Sequence, residues 1–264
     1  MNDHSTASVQ GVDEDLARLT ERLPIEPQKN QLQIVSQLVN YGDRGLTVLM
    51  EFLRSRQSLP PDPVAGKAYQ ILYRVNTLPT QEFLQTDFPE GLIPLKSARN
   101  IDYRLLQHLL AQQDFQAADS LTRQKLCELA GEAAIGRKWI YFTEVEQFPN
   151  SDLETIDSLW WVYSEGKFGF AQQHQLWLSV GKDFTKLWPK IGWKEGNNWT
   201  QYPSQFIWDL SAPVGHLPLL NQLRGVRVTA SLFSHPVWTT SERFAKGCFL
   251  TSSRREDYRR ANTN

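Results

Sequence analysis

Cysteine is nearly missing from this chain: Cys127 and Cys248 are the only two in 264 residues. Two such thiols make neither a disulfide framework nor a zinc site, so the chain reads as one from a reducing compartment. Long apolar runs are missing as well. Stretches such as Leu159-Trp160-Trp161-Val162-Tyr163 fall far short of the about 20 residues that cross a bilayer. Net charge is also lacking, because 28 Lys plus Arg stand against 29 Asp plus Glu and leave −1. That balance argues against a protein built mainly to grip nucleic acid. Residues 1–15 hold Asp3, Asp13, Glu14 and Asp15 but no Lys or Arg. Secretory signals and transit peptides do not look like that, and a cytoplasmic protein is expected.

Catalytic signatures are absent too. The chain contains no glycine-rich phosphate loop, no His-Glu-x-x-His, no Gly-x-Ser-x-Gly and no zinc-type cysteine spacing. The histidines (His4, His108, His174, His216, His235) are scattered, without partners in a motif. Each is expected to be a structural or surface residue rather than a ligand, and the leucine-rich helical stretch around His108 suits a satisfied core histidine. Cys127 is expected to be a small buried hydrophobe.

Tryptophan is absent from the first 138 residues, yet nine lie between Trp139 and Trp238. This shift divides the chain into a Leu-rich region over 1–78, an aromatic core over 79–238 and a basic tail over 239–264. In the first region Leu16, Leu19 and Leu23 recur at helical spacing. So do Ile34, Val35, Leu38 and Val39, then Leu46, Leu49, Phe52 and Leu53, then Val64, Ala68, Ile71, Leu72 and Val75. Breakers fall between them at Pro24 and Pro27, at Gly42 and Gly45, and at Leu59-Pro60-Pro61-Asp62-Pro63. The pattern predicts a small helical bundle, with a linker at Thr77-Leu78-Pro79-Thr80.

Beyond the linker the spacing predicts a helix over 102–113 with Leu105, Leu106, Leu109 and Leu110 buried. Asp114 should cap a helix over 115–130 that Gly131 ends. Ser151 and Glu154 suggest a capping box, and Pro218 to Ser234 reads as the last strong helix. Strand signals are weak, so the fold class is all-α. Residues 192–218 fit no helix, but they are rich in aromatics, including Trp193, Trp199, Tyr202, Phe206 and Trp208. A long loop of this composition is expected to be ordered and functional.

That loop leads into Asn221, Arg224 and Arg227. Two guanidiniums three residues apart on a helix share a face and suit two carboxylates. Aromatic side chains offer stacking area for a planar body. A porphyrin carries both features, although the same residues also fit a packed core and a solvated, ion-paired face.

Longer motifs point further. Ile101-Asp102-Tyr103, Leu126-Cys127-Glu128-Leu129-Ala130-Gly131, Gly166-Lys167-Phe168-Gly169-Phe170, Phe184-Thr185-Lys186-Leu187-Trp188-Pro189-Lys190 and Gly215-His216-Leu217-Pro218 resemble the genomes-uncoupled-four family of cyanobacteria and chloroplasts. The resemblance spans about residues 85–238, and the N-terminal region resembles the helical bundle of cyanobacterial members by pattern. It implies an all-α core that binds protoporphyrin IX and magnesium protoporphyrin IX, needs no cofactor and is not an enzyme. It also implies stimulation of magnesium chelatase through that complex's large porphyrin-binding subunit.

Two loops, 130–137 and 192–218, are expected to shape the cleft. Arg224 and Arg227 would face the propionates, with Asn221 and Leu223 beside them. Phe142, Trp199 and Phe206 would be apolar walls. Tyr202 stands where an aromatic, often tryptophan, is expected, and Ala133 where a larger aliphatic is expected. His216, in its Gly-His-Leu-Pro turn, is expected to hold backbone rather than a metal. A monomer is expected, with an open cleft that leaves room for contact with a membrane surface. The reading from another class is a helical scaffold whose aromatic groove binds a protein segment.

Overall fold

The computed structural model describes residues 4–220 and 226–240, with side chains from residue 12 onward. The chain opens with helices α1 (His4–Arg22), α2 (Gln28–Leu38), α3 (Gly42–Ser55) and α4 (Pro63–Val75). Their apolar stripes turn inward as the spacing predicts. Leu16, Leu19, Leu23, Ile34, Val35, Leu38, Leu46, Leu49, Phe52, Leu53, Val64, Ala68 and Leu72 are all buried. Each large aliphatic among them contributes about 1.5–3 kcal/mol of burial. Val39 and Val75 depart from the pattern: they sit at helix ends and remain exposed. Gly45 departs as well, because it is no breaker but lies inside α3. A Cβ there would stand 1.8 Å from the Leu38 carbonyl oxygen, so glycine lets the two turns of chain approach. Asp62 caps α4 by accepting from Val64 N at 3.0 Å and Ala65 N at 2.9 Å, with Pro63 in the first turn.

The expected linker is in fact helical. Leu78-Pro79-Thr80 forms the first turn of α5 (Leu78–Asp87), which packs on α3 and α4. After it come α6 (Arg104–Gln112) and α7 (Phe115–Ala130). The buried face of α6 is Leu106, Gln107, Leu110 and Ala111, whereas Leu105 is exposed. His108 is exposed too, 2.5 Å from the Tyr73 hydroxyl, and is not the core residue its leucine-rich setting suggests. Asp114 caps α7 as expected, accepting from Ala117 N at 3.1 Å.

The helical bundle is bolted to the core through α4. A Cβ on Gly66 would lie 2.2 Å from the carbonyl oxygen of Val162, at the end of α10 (Asn150–Val162). One turn on, buried Gln70 donates to Leu110 O and Tyr163 O, each at 2.8 Å. Lys67 pairs with Glu165 at 2.8 Å on the rim.

The second half builds the aromatic core from α8 (Glu132–Arg137), α9 (Phe142–Val145), α10, α11 (Phe170–Ser179), α12 (Phe184–Lys190), α13 (Arg227–Phe233) and α14 (Val237–Thr240). The capping box expected at Ser151 does not form. Pro149 stands at the N-cap of α10, and Ser151 Oγ donates to buried Asp152 instead. A ladder of rings crosses this half. Trp177 stacks on Phe184 at 5.5 Å, Phe184 on Trp188 at 5.0 Å, and Trp188 on Trp193 at 5.3 Å.

Two further expectations change. Residues 192–218 contain a short antiparallel hairpin, β1 (Lys194–Glu195) and β2 (Asn198–Trp199), turned at Gly196 with φ of 57°. The helix expected from Pro218 does not start there: its described helical part is α13, from Arg227. Leu219 and Leu220 are buried but not helical, and 221–225 lie outside the described residues.

Candidate functional site: aromatic rings beside guanidinium groups

Asp119, Arg123 and Cys127 recur every four residues along α7 and so share one face. This face is the floor of the candidate site. Gly131, at φ 99°, ends α7 and turns the chain into α8. The shorter of the two expected loops, 130–137, is therefore helical from Glu132 onward. Ala133 is exposed on α8. From the end of α8, Arg137 pairs with Glu144 at 2.7 Å and lies against the rings of Trp139 at 5.0 Å and Tyr141 at 4.5 Å. Its Nε takes no partner. The charges of Glu144, Arg137 and Arg123 all bear on the Cys127 thiol, which places both arginines around it. Burial pushes that thiol up from its ordinary range, so Cys127 is a small buried hydrophobe, as its sequence setting predicts.

Helix α9 carries Phe142. Arg227, the first residue of α13, lies with its guanidinium 5.7 Å from the Phe142 ring centre. Ser231 Oγ donates to Phe142 O at 2.9 Å and fixes α13 against α9.

The long loop brings a second group of rings. Tyr202 meets Phe206 at 5.6 Å and Trp208 at 5.7 Å, and Phe206 stacks on Trp208 at 5.6 Å. Arg123 spans from the floor to these rings. Its guanidinium lies 4.3 Å from the Tyr202 ring centre and donates to the Tyr202 hydroxyl. Arg123 Nε is 3.5 Å from Asp119 Oδ2, which is ion-pair range without hydrogen-bond geometry. Asp119 Oδ1 accepts from Leu219 N at 2.6 Å. The Asp119 carboxyl, wholly buried, is pushed up to about 6 by desolvation; Arg123, the Leu219 N–H and the Tyr202 hydroxyl pull it back down. Burial also raises Tyr202, and the Asp119 charge adds to the shift.

His216 holds the loop from beneath. Its Nε2 accepts from Ile207 N at 3.1 Å, so the proton sits on Nδ1 and is donated to Ile191 O at 2.7 Å. Trp193 Nε1 donates to His216 O at 2.7 Å. Burial holds this imidazole below its ordinary value, and it stays neutral. The backbone-holding role read from the Gly-His-Leu-Pro turn is what the geometry shows.

Some of the expected site residues meet and others do not. Phe142 and Arg227 are in contact, and so are Tyr202 and Phe206. Trp199 points elsewhere. It lies 5.9 Å from Trp188 and lines a separate cleft of about 740 Å³ with Ile207, Pro213 and His216. Asn221, Leu223 and Arg224 fall outside the described residues. Of the expected basic pair only Arg227 is described, as the first residue of α13. The tether from Leu219 to Asp119 does bring the chain to the floor just before that segment.

The residues that sequence reasoning missed are Asp119, Arg123 and Arg137. Their partners arrive from distant segments, and an Asp and an Arg four apart on a helix look like a surface ion pair. Among the described residues no cluster of His, Cys, Asp and Glu could hold a metal ion.

Comparison with known proteins agrees with this architecture. The family described as GUN4-like matches residues 96–236. The family described as an ARM-like repeat domain, GUN4-N terminal, matches residues 7–89. A Ycf53-like protein of Synechocystis is 52% identical over 229 residues, covering 86% of this chain and 97% of that protein. The chloroplastic tetrapyrrole-binding protein of Arabidopsis thaliana is 38% identical over 149 residues, covering 53% of this chain and 56% of that protein. The solved structure of GUN4 from Chlamydomonas reinhardtii superposes with a TM-score of 0.52 at 37% identity, covering 55% of this chain and 93% of that one. The helical core and the repeat-like bundle before it are thus those of known relatives, and the chain belongs to the GUN4 family.

Proposed function

We propose that the surface formed by α7, α8–α9, the aromatic loop and α13 binds protoporphyrin IX and magnesium protoporphyrin IX. The observation that carries this reading is the pairing of aromatic rings with guanidinium groups. Phe142 lies against Arg227, and Tyr202 against Arg123. The rings supply apolar area for a macrocycle, and the guanidiniums supply forked donors for its carboxylates. The name of the Arabidopsis relative, a tetrapyrrole-binding protein, supports the same ligand class. The protein acts without catalysis of its own. It stimulates magnesium chelatase through the large porphyrin-binding subunit, as a monomer that can touch a membrane surface at its open cleft. In this reading 1–78 is an accessory bundle, 79–238 the binding region and 239–264 a basic extension.

Titrating the protein with deuteroporphyrin, a soluble stand-in, and its magnesium form should quench tryptophan emission to saturation at one site, tighter than about 10 µM. Arg227→Ala should weaken that binding by roughly 5- to 150-fold, the loss of one charge-assisted contact of about 1–3 kcal/mol. Its unfolding midpoint should stay unchanged. Equal affinity for the two proteins would remove Arg227 from the site. Absence of saturable quenching in folded protein would overturn the ligand class. Chelatase assays with and without the protein test the stimulation separately.

A further inference from the structure

We propose that Asp119 is a positioning residue of this site that acts through Arg123. As a carboxylate it cancels the Arg123 charge at the floor, and an anionic ligand binds together with a proton taken up on Asp119 Oδ2. The inference rests on the proposed binding of a dicarboxylate tetrapyrrole at this face.

The geometry separates the two carboxyl oxygens. Oδ1 is committed to Leu219 N at 2.6 Å and holds the chain that leads into residues 221–227. Oδ2 has no hydrogen bond of good geometry: Arg123 Nε lies 3.5 Å away, and the Tyr202 hydroxyl is close enough to act on the carboxyl. A proton can therefore add at Oδ2 without releasing Leu219, because the carbonyl-like Oδ1 still accepts. What changes is charge. With Asp119 ionised, Arg123 and Asp119 form a neutral pair, and the Arg123 guanidinium rests on the Tyr202 ring and hydroxyl. With Asp119 protonated, Arg123 is an uncancelled cation. Its side chain is 38% exposed, while that of Asp119 is 0% exposed. A ligand carboxylate meeting that surface favours the protonated form, and by linkage protonation favours the ligand.

The charged and titratable groups that bear on Asp119 are Arg123 from its own helix and Tyr202 from the loop. The segment at 219 offers a backbone N–H. The carboxyl's elevated proton affinity, about 6, places the exchange within reach of neutral pH.

The test uses the full chain and deuteroporphyrin. Asp119→Asn keeps an acceptor for Leu219 N but removes the charge. It should bind deuteroporphyrin more tightly than the parent at about pH 7.5, by roughly 5- to 30-fold, the effect of one unit charge nearby. Deuteroporphyrin dimethyl ester, which lacks the carboxylates, should bind both proteins alike. Affinity of the parent should rise as pH falls from about 8 to about 6, with a shallower slope in Asp119→Asn. Asp119→Ala, which also loses the Leu219 tether, should bind less tightly than Asp119→Asn.

Calorimetry of the parent alone, in buffers of different ionisation enthalpy, should show net proton uptake on binding, so the test survives a variant that fails to fold. Equal or weaker binding by folded Asp119→Asn, equal tightening for the ester, or zero proton uptake overturns the inference while porphyrin binding itself stands. No binding of deuteroporphyrin by the parent removes the reading on which it rests.

Discussion

His216 shows how one side chain can order a long loop. The imidazole bridges Ile191 O and Ile207 N, which lie on either side of the hairpin. Replacing it with Phe keeps the bulk but leaves both backbone groups without partners, at a cost of about 2–4 kcal/mol. The urea midpoint of His216→Phe should drop accordingly, and an unchanged midpoint would mean that the loop does not depend on the bridge. This role was legible in the sequence, because a histidine beside Gly215 and Pro218 sits where backbone needs holding. Asp119 and Arg123 were not legible. Their i, i+4 spacing has the look of a solvated pair, and nothing local announces Tyr202 arriving from 79 residues away. Leu105 misled for a related reason: it lies at the edge of a wide apolar arc, and the sequence alone does not say which edge meets solvent.

Among the elements, those with long stripes were read well and those built on turns were not. Helices α1 to α4 and α7 fall where apolar spacing and caps place them. The start of α13 was read too early because Leu219, Leu220 and Leu223 carry helical spacing. The first two are instead buried in irregular chain held by Asp119. Glycine misled at Gly45, which reads as a breaker. Gly45 and Gly66 sit inside helices because another backbone comes close, a property invisible in spacing. Gly66 gives the sharper expectation. A methyl group at this position meets the Val162 carbonyl at 2.2 Å, and backbone cannot step aside as a side-chain tip can. Gly66→Ala, normally a gain for a helix, should instead destabilise by about 1–3 kcal/mol in urea unfolding. A stabilised variant would show that α4 and α10 are not in close contact.

For the whole molecule, the buried histidines set the response to acid. His174, His216 and His235 are each held below the ordinary value by desolvation. Below about pH 6.5 the unfolded chain binds more protons at these positions than the folded one, so stability falls as pH falls. Asp119 works in the opposite direction. Raised to about 6, it binds a proton in the folded state before the unfolded one does, and so adds stability on acidification. Between about pH 6.5 and pH 5 the two effects oppose each other, so stability should fall more steeply on acidification in Asp119→Asn than in the parent. Urea midpoints of the two proteins across that window check it, and parallel curves would contradict it. The all-α class and the Trp-free bundle were plain from composition and stripes. The bolt between bundle and core was not, since Gln70 reads as an ordinary polar residue until Leu110 and Tyr163 come to meet it. The ladder from Trp177 through Phe184 and Trp188 to Trp193 places aromatic rings 5.0–5.5 Å apart. Its indoles are close enough for excitation to pass from one to another. A pigment seated near any rung would drain light absorbed along the rest, so the ultraviolet glow of this protein counts occupied molecules but does not reveal which tryptophan the pigment touches.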